Sequence, residues 1–304
     1  MLSSLHRHWS DFKTSLLRAA LRAEYRGAGL SPRQVHLSFG DVAYFEKPGG
    51  PGHECVMLLH GAGADKNGWC RFLKHLPSKG RVIVPDLPGH GESVRNPDLS
   101  YTIGQQARYM REFLDALEID TLHLVGHSMG AAVAMRMAHA QPDRVRSLIL
   151  IGAGGAESTP SELRREFDRT GVHPMMGIRS LEDYKALIKW GMNKPPYIPG
   201  MFLSVLADEK ILRRDIERKI ILDAARDMDQ ADILPHITQK TLILWGSADR
   251  VVHPDDAELL RSRIALSRKV ILDGIGHVPI VEAPALCARH CAAFLGERDD
   301  RGTP

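Results

Sequence analysis

Cysteine is scarce in this chain, which has four among its 304 residues. Four cysteines in a chain of this length do not indicate a small secreted domain held by disulfides, so we expect reduced thiols. Cys287, His290 and Cys291 share one face of a predicted helix, but this trio lacks the further ligands that a structural zinc ion requires. A buried helix face is the favoured interpretation, and we expect no metal site.

Long apolar segments and a strong excess of one charge are also lacking. No segment contains the roughly 18 consecutive apolar residues of a membrane span, and Arg18 and Arg22 interrupt any signal-peptide core. The net charge of +3 is too small to indicate a nucleic-acid partner. We therefore expect a cytoplasmic protein with at most peripheral membrane association.

The N-terminal segment, residues 1–34, carries an amphipathic pattern. Between residues 11 and 26, apolar side chains such as Phe12 and Leu16 recur at helical spacing among basic side chains. This pattern predicts a basic amphipathic helix followed by a linker. Such a helix could lie weakly on an anionic bilayer, but docking on the folded domain is the favoured interpretation.

Strand and helix patterns alternate over residues 35–151 and again over residues 240–296. Continuous apolar runs, such as the one at residues 55–59, are typical of strands that are buried on both faces. The alternation predicts an α/β fold, with a doubly wound, mostly parallel sheet and helices on both faces. Residues 297–304 form a short polar tail.

Two local patterns predict smaller elements near the start of this core. Residues 35–39 and 42–46 alternate between apolar and polar side chains around Gly40 and Asp41, which predicts a β-hairpin with its turn at those two residues. The apolar spacing over residues 69–76 predicts a helix.

The alternation lapses over residues 152–239, where helical patterns surround a proline-rich break at residues 195–200 and no strand is convincing. We predict a helical cap inserted over the carboxyl edge of the sheet, where ligands bind in open α/β folds. Flexible thioethers and aromatic rings suit an apolar acyl chain. The candidate substrate-binding residues in this segment are Met175, Met176, Trp190, Met192, Met201 and Phe202.

Ser128 stands at the centre of the pentapeptide Gly-His-Ser-Met-Gly at residues 126–130, between an apolar strand pattern and a helical one. Glycines at both flanks permit a sharp strand-to-helix turn that displays the middle side chain. The serine hydroxyl would then stand at the positive end of the helix, accessible to a base. The alternative interpretation is a serine that merely caps the helix, but the strand and helix patterns favour a nucleophile.

A serine nucleophile needs a base of near-neutral pKa and an acid that orients the base. Asp249 follows the strand pattern at residues 242–245, and His277 follows the one at residues 270–272. The order Ser, Asp, His is that of an α/β catalytic triad. His60, His127 and His253 are lesser candidates, for which structural roles are favoured.

Together, the loop at residues 60–63, the run Asp-Leu-Pro-Gly-His-Gly-Glu-Ser at 86–93, Ser128, Asp249 and His277 resemble the α/β-hydrolase family, over about residues 35–296. Within it, residues 62–69, the same run at 86–93 and the proline-rich break resemble monoacylglycerol lipases and related carboxylesterases. The resemblance implies an oxyanion hole formed by the backbone N–H groups of Ala62 and Met129. Ala131 departs from the second glycine that these enzymes often carry, which should affect little beyond helix packing.

The resemblance implies a serine hydrolase that cleaves carboxylic esters of apolar acyl chains through an acyl-enzyme, without a metal or organic cofactor. Its partner would be a small-molecule ester or lipid. Epoxide hydrolases and haloalkane dehalogenases use an aspartate at the position of Ser128, so both are disfavoured. Three alternatives remain: a serine-dependent C–C bond hydrolase of dienol keto-acids, a cofactor-free perhydrolase, and a small-molecule receptor that turns over poorly.

Overall fold

The structure is a computed structural model that describes residues 2–50, 54–171 and 173–296, with residues 2–10 described as backbone alone. The predicted polar tail at residues 297–304 lies outside this range. Within it, eight strands form one sheet. They are β1 (Ser31–Leu37), β2 (Gly40–Lys47), β3 (Cys55–Leu59), β4 (Val82–Pro85), β5 (Leu122–His127), β6 (Val145–Ile151), β7 (Lys240–Gly246) and β8 (Ser267–Leu272).

One helix precedes the sheet, helices alternate with the strands from β3 to β6 and again from β7 to the end, and three helices follow one another between β6 and β7. The helices are α1 (Leu2–Gly27), α2 (Cys70–Leu73), α3 (Ile103–Ala116), α4 (Met129–Ala140), α5 (Glu162–Thr170), α6 (Leu181–Gly191), α7 (Gly200–Ala224), α8 (Asp256–Arg263), α9 (Pro279–Glu282) and α10 (Pro284–Leu295), with 3-10 helices at Lys66–Trp69 and Leu234–His236.

The strand order is β1-β2-β4-β3-β5-β6-β7-β8, and all pairs are parallel except β1 with β2 and β2 with β4. Helices α3, α4 and α8 pack on one face of the sheet, and α2 and α10 pack on the other. Burial on both faces explains why the central strands are continuous apolar runs. The doubly wound, mostly parallel sheet confirms the predicted fold class.

The order of connection reverses between β3 and β5. The chain runs from β3 to β4 on one side of β3 and then returns to place β5 on the other side. In open α/β sheets, such a switch point leaves a crevice at the carboxyl ends of the two strands. The loop that contains Ala62 follows β3, and Ser128 follows β5, so this crevice brings the two loops together.

The predicted hairpin exists, but its turn lies two residues earlier than the sequence pattern indicates. Leu37 pairs with Gly40, so Ser38 and Phe39 form the turn. The Glu112 carboxylate on α3 accepts hydrogen bonds from the N–H of Ser38 at 2.6 Å and from its hydroxyl at 2.8 Å. This contact, distant in sequence, stabilises the turn at Ser38, and the local pattern does not contain it.

The helix predicted at residues 69–76 is also shifted. A 3-10 helix begins at Lys66, and α2 ends at Leu73. The earlier start follows from the side chain of Asp65, which accepts a hydrogen bond from the N–H of Asn67 at 2.9 Å and so caps the first turn.

The N-terminal helix docks on the domain and is longer than the predicted residues 11–26. It contacts α7 and α2. Leu17 is buried, Glu24 pairs with Arg71 at 3.0 Å, and the ring of Tyr25 lies 4.8 Å from that of Phe45. In the described part of the chain, no helix has the length and apolar character to cross a bilayer.

The segment between β6 and β7, residues 152–239, which we call the insertion, contributes α5, α6, α7 and a 3-10 helix. Its described residues include no strand. It follows β6 directly at the carboxyl edge of the sheet, so its helices lie beside the loops that end β3 and β5. All four cysteines are free and buried, and burial raises the pKa of Cys55 and of Cys70 to about 12.

Candidate active site

Ser128 occupies the turn between β5 and α4 in a strained conformation, with φ of 54° and ψ of −121°. Its N–H donates to the carbonyl of Ile151 at 3.0 Å, and its own carbonyl accepts from Gly154 at 3.1 Å. A positive φ costs a residue other than glycine about 1–3 kcal/mol and persists only where the surroundings hold it. The chain after β6 holds it here, which displays the hydroxyl at the start of α4.

The glycines that flank Ser128 are required by close packing. A Cβ at Gly126 would lie 2.5 Å from the Cα of Ala131, and a Cβ at Gly130 would lie 2.4 Å from the carbonyl oxygen of Leu59. Contacts this short are not available to a methyl group. Glycine is therefore required at both positions because α4 packs tightly against β3 and β5.

Asp249 and His277 meet at the carboxyl edge of the sheet, where Oδ2 of the aspartate lies 2.8 Å from Nδ1 of the histidine. Both residues are buried. The other carboxylate oxygen, Oδ1, accepts from the N–H groups of Val251 at 2.8 Å and Val252 at 2.9 Å. These bonds fix the carboxylate, and its bond to Nδ1–H leaves the lone pair of the neutral ring on Nε2.

Two contacts join this pair to the serine turn. His127 donates from Nε2 to the carbonyl of His277 at 2.7 Å. A Cβ at Gly152 would lie 3.3 Å from Nδ1 of His277 and 3.4 Å from Oδ2 of Asp249, so the chain after β6 passes directly against the pair. The same stretch of chain bonds Ser128, and the three residues therefore share one small region.

The end of α6 holds the histidine loop from the insertion side. The N–H of His277 donates to the carbonyl of Gly191 at 2.8 Å. Asn193 donates from its side chain to the carbonyl of Gly274 at 2.9 Å and from its backbone to Glu282 at 2.9 Å. The insertion is therefore part of the framework that positions His277.

The loop after β3 is held by His60. Its Nδ1 donates to the carbonyl of Gly61 at 2.8 Å, and its Nε2 accepts from the N–H of Leu87 at 3.0 Å. Burial lowers the pKa of His60, consistent with the neutral ring that this pair of bonds requires. Because a trans peptide directs its C=O and N–H to opposite sides, anchoring the Gly61 carbonyl also fixes the direction of the Ala62 N–H.

A cavity of about 760 Å³ opens at this point, and Ala62, Ser128 and Met129 all line it. Among the residues that the structure describes, the backbone N–H groups of Ala62 and Met129 donate to no protein acceptor. Two such donors beside a serine in a cavity can stabilise an oxyanion.

Of the six candidate substrate-binding residues, Met175 lines this cavity and five do not. Trp190 instead stacks under Arg250, whose guanidinium carbon lies 5.2 Å from the ring centroid. Met192 is the extended residue directly after α6. Met201 and Phe202 form the first turn of α7, the helix that packs on α1. Met176 lies beside the lining without contributing to it, and its N–H bonds to the carbonyl of His173.

The apolar lining comes mostly from residues that the sequence reasoning missed. They are Ala156, Pro160, Leu163, Ile221, Ala224, Ala225, Met228, Val251 and Val252. Several follow a recognisable signal, because they lie directly after β6 or after Asp249, where the chain must border the site.

The polar part of the cavity carries mainly negative charge. Glu157, Asp229 and Asp256 line it, and Arg164 is the one Lys or Arg side chain among the described lining residues. Arg164 is compensated by Asp168 at 3.0 Å and by Glu157 at 3.8 Å. No group of three or more His, Cys, Asp or Glu side chains in the described chain is arranged to hold a metal ion.

An ionic cluster with two buried members, Lys66 and Asp86, and one exposed member, Glu92, supports the loops behind the cavity. Lys66 lies 2.6 Å from both Asp86 and Glu92, and Asp86 also accepts from the N–H groups of Lys66 and Glu92 at 2.7 Å and 2.8 Å. Burial lowers the pKa of Lys66, but the two carboxylates outweigh it and raise the pKa overall. The cluster ties the turn after β4 to the loop after β3.

The mostly parallel sheet, the serine at a strained strand-to-helix turn and the buried Asp–His pair are typical of α/β hydrolases. The chain belongs to the α/β-hydrolase family, and residues 54–173 match the family model described as alpha/beta hydrolase fold.

Three known proteins are similar to this chain over most of its length. Lipase 1 of Psychrobacter immobilis is 29% identical over 277 residues, covering 90% of this chain and 87% of that protein. The monoacylglycerol lipase ABHD6 of Homo sapiens is 28% identical over 282 residues, covering 89% and 83%. The crystal structure of a bacterial membrane phospholipase A is 32% identical, with 97% of this chain and 94% of that chain covered and a TM-score of 0.91.

Proposed function

We propose that this protein is a serine hydrolase that cleaves carboxylic esters of apolar acyl chains, with Ser128 as nucleophile, His277 as base and Asp249 as the orienting acid. Ester hydrolysis itself is the activity of the lipase and esterase type to which the chain is related over nearly its whole length. The observation that carries the proposal is the bond of 2.8 Å between Asp249 and His277, beside a strained serine in a cavity.

The reaction would proceed in two steps. Nε2 of His277 takes the hydroxyl proton as Oγ of Ser128 attacks the ester carbonyl, and the negative charge that develops on the carbonyl oxygen accepts hydrogen bonds from Ala62 and Met129. Collapse of this intermediate breaks the bond to the alcohol, which leaves with the proton from His277. Water then attacks the acyl-enzyme by the same route and releases the acid.

The lining supports an apolar acyl group. Side chains such as Leu163, Met175, Ile221 and Met228 offer flexible apolar surface next to Ser128. The cavity disfavours the alternative C–C hydrolase, because an anionic keto-acid would face the carboxylates of Glu157 and Asp229 while Arg164 is already paired.

A series of p-nitrophenyl esters of graded chain length, run beside monoacylglycerols, tests the proposal. Each buried methylene contributes up to about 0.8 kcal/mol, so kcat/KM should rise severalfold per two carbons until the cavity is full. Flat activity across ester lengths, together with turnover of a dienol keto-acid, would replace this function with C–C bond hydrolysis.

Variants separate the roles of the three residues. Ser128→Ala and His277→Ala should each lower kcat by a factor of about 10⁴ to 10⁶, and Asp249→Asn should lower kcat by a somewhat smaller factor. His139→Ala, on the exposed end of α4, is the matched control and should leave kcat unchanged. Full activity of Ser128→Ala would move the nucleophile elsewhere.

The outer face of α1 supports a weak contact with anionic lipid. Phe12 is 54% exposed and Leu16 is 41% exposed, and the exposed Arg18 and Arg22 follow on the same helix. Attraction to an anionic surface is largely Coulombic, so salt should release the protein from vesicles that contain phosphatidylserine. Replacing Phe12 and Leu16 by serine should reduce co-sedimentation, and an unchanged bound fraction would leave α1 as a structural brace only.

A further inference from the structure

Lys210, on helix α7 of the insertion, reaches the loop that follows β3. Its ammonium donates to the carbonyl oxygen of Gly63 and lies 2.9 Å and 3.0 Å from the two carboxylate oxygens of Glu217. An ammonium group has three N–H donors, and these three acceptors use all of them. The side chains of Lys210 and Glu217 are only 16% and 12% exposed, so water competes little for these bonds.

The contact depends on the absence of a side chain at Gly63. A Cβ at this position would lie 2.7 Å from Nζ of Lys210, and the backbone has a φ of +64°. Both facts make glycine the residue that permits this approach. The ammonium of Lys210 thus occupies the space that a side chain at Gly63 would take, directly beside the loop.

Gly63 lies one residue after Ala62, in the loop that carries the candidate oxyanion donor. His60 anchors the carbonyl of Gly61 at one end of the loop. Lys210 anchors the carbonyl of Gly63 at the other. The Ala62 N–H, which lines the cavity beside Ser128, lies between the two anchored carbonyls. The Ala62 N–H shares a rigid peptide plane with the Gly61 carbonyl, and only the backbone rotations at Ala62 and Gly63 separate this plane from the Gly63 carbonyl. Holding both carbonyls therefore limits how far the plane of the Ala62 N–H can rotate.

We propose that Lys210 is a positioning residue for the ester hydrolysis described above, and that it aims the Ala62 N–H at the reacting oxygen by holding the Gly63 carbonyl. The inference rests on the proposed function of this site. If Lys210 has this role, catalysis depends on whether α7 is packed against the loop after β3. When α7 is packed on the core the oxyanion donor is aimed, and when α7 moves away the loop loses its second anchor.

Glu217 completes the arrangement. It lies seven residues after Lys210 on α7, so its carboxylate stands two turns along on the same face of the helix. It balances the charge of the mostly buried ammonium and directs it toward the loop. Without that partner, the lysine would gain more from turning toward water than from reaching Gly63.

The test is the variant Lys210→Met, which keeps the length of the side chain and removes its donors. Loss of one oxyanion donor costs about 10² to 10³ in kcat, so a misaimed donor should cost about ten- to hundredfold. KM should change less than about twofold, since the ground-state carbonyl needs the donor less than the transition state does. Affinity for an alkyl boronic acid, which forms a tetrahedral adduct with the serine, should fall by the same factor as kcat/KM.

Two further variants complete the design. Lys210→Arg keeps a cationic donor and should retain most of the activity. Lys185→Met, on the exposed surface of α6 where the lysine pairs with Glu182, is the matched control and should change neither kcat nor boronic acid affinity.

A folded Lys210→Met enzyme with wild-type kcat and boronic acid affinity would overturn the inference, as would a variant that loses thermal stability alone. If that variant does not fold, Gly63→Ala supplies the second test, because its methyl group displaces the ammonium and should lower kcat with little change in KM. Wild-type kinetics in Gly63→Ala would likewise overturn it. A wild-type protein that hydrolyses no ester would instead refute the proposed function, so the two failures are distinguishable.

Discussion

His127 should make the folded protein lose stability as the pH falls below about 6.5. It is buried, and Nε2 donates to the His277 carbonyl. Burial first, and the neighbouring His277 second, lower the pKa of His127 to about 3. Between about pH 3 and about pH 6.5, the ordinary pKa of histidine, the imidazole of His127 is protonated in the unfolded chain and neutral in the folded chain. The free energy of unfolding therefore rises with pH across this window and is lost as the pH falls.

The size of the effect follows from the two pKa values. Lowering the pH from 7 to 5 should reduce the free energy of unfolding by about 2 kcal/mol through His127 alone. Burial also lowers the pKa values of His60 and His90, so they act in the same direction and increase the total loss.

Denaturant unfolding at pH 7 and pH 5 measures this, with His127→Gln as the comparison. The glutamine amide can still donate a hydrogen bond but does not titrate, so the variant should lose about 2 kcal/mol less than the wild type between the two pH values. Contributions from carboxylates are common to both proteins and cancel. Equal losses in the two proteins would refute the neutral, buried state of His127.

Three other perturbations follow from the packing around the cavity. Gly152→Ala should lower kcat at least about tenfold, because its methyl would lie 3.3 Å from Nδ1 of His277 at a φ of +49°; unchanged ester kinetics would contradict this. Lys66→Met should lower the free energy of unfolding by about 3–5 kcal/mol, since it leaves the fully buried Asp86 without its ammonium. A denaturant titration at pH 7 measures that loss, and an unshifted midpoint would count against the pairing. Met228→Trp should shift the preferred ester to shorter acyl chains, because the side chain lines the cavity, and an unchanged optimum in the chain-length series would remove it from the acyl site.

The loops that carry Ser128, Asp249 and His277 can be predicted from the sequence, because each follows a strand whose apolar run is visible locally. For Ser128 and Asp249 that strand is buried, and for His277 it is the largely unburied edge strand β8. The carboxyl ends of parallel strands meet at one edge, so position after a strand predicts proximity. At that edge, Oδ2 of Asp249 lies 2.8 Å from Nδ1 of His277. The order of the strands, and hence the switch point beside β3 and β5, is a property of the whole sheet.

The acyl lining could not be predicted in the same way. Helical spacing shows that Trp190 and Phe202 belong to apolar stretches, but it does not show which neighbour each meets. Trp190 meets Arg250 of the aspartate loop, and Phe202 begins a helix that packs on α1. Met175 reaches the cavity from an irregular stretch between α5 and α6. Tertiary packing decides among such residues, and local periodicity does not record it.

The hairpin turn shows the same limit on a smaller scale. Gly40 and Asp41 have the local chemistry of a turn, yet Ser38 is bonded to Glu112 on α3 and the turn forms there. Lys210 is a similar case. Nothing in the local sequence distinguishes it from other lysines, and its contact with Gly63 is visible only once α7 is packed against the loop.

The proposed mechanism requires that Ser128 becomes acylated during turnover. Rapid acid quench of the wild-type enzyme with a medium-chain p-nitrophenyl ester, followed by peptide mass mapping, measures this directly. One acyl group should be found on the peptide that contains Ser128, and Ser128→Ala should show neither the adduct nor turnover above the level of the oxyanion donors alone. An adduct on another residue, or ester turnover at the wild-type rate in Ser128→Ala, would show that Ser128 is not the nucleophile.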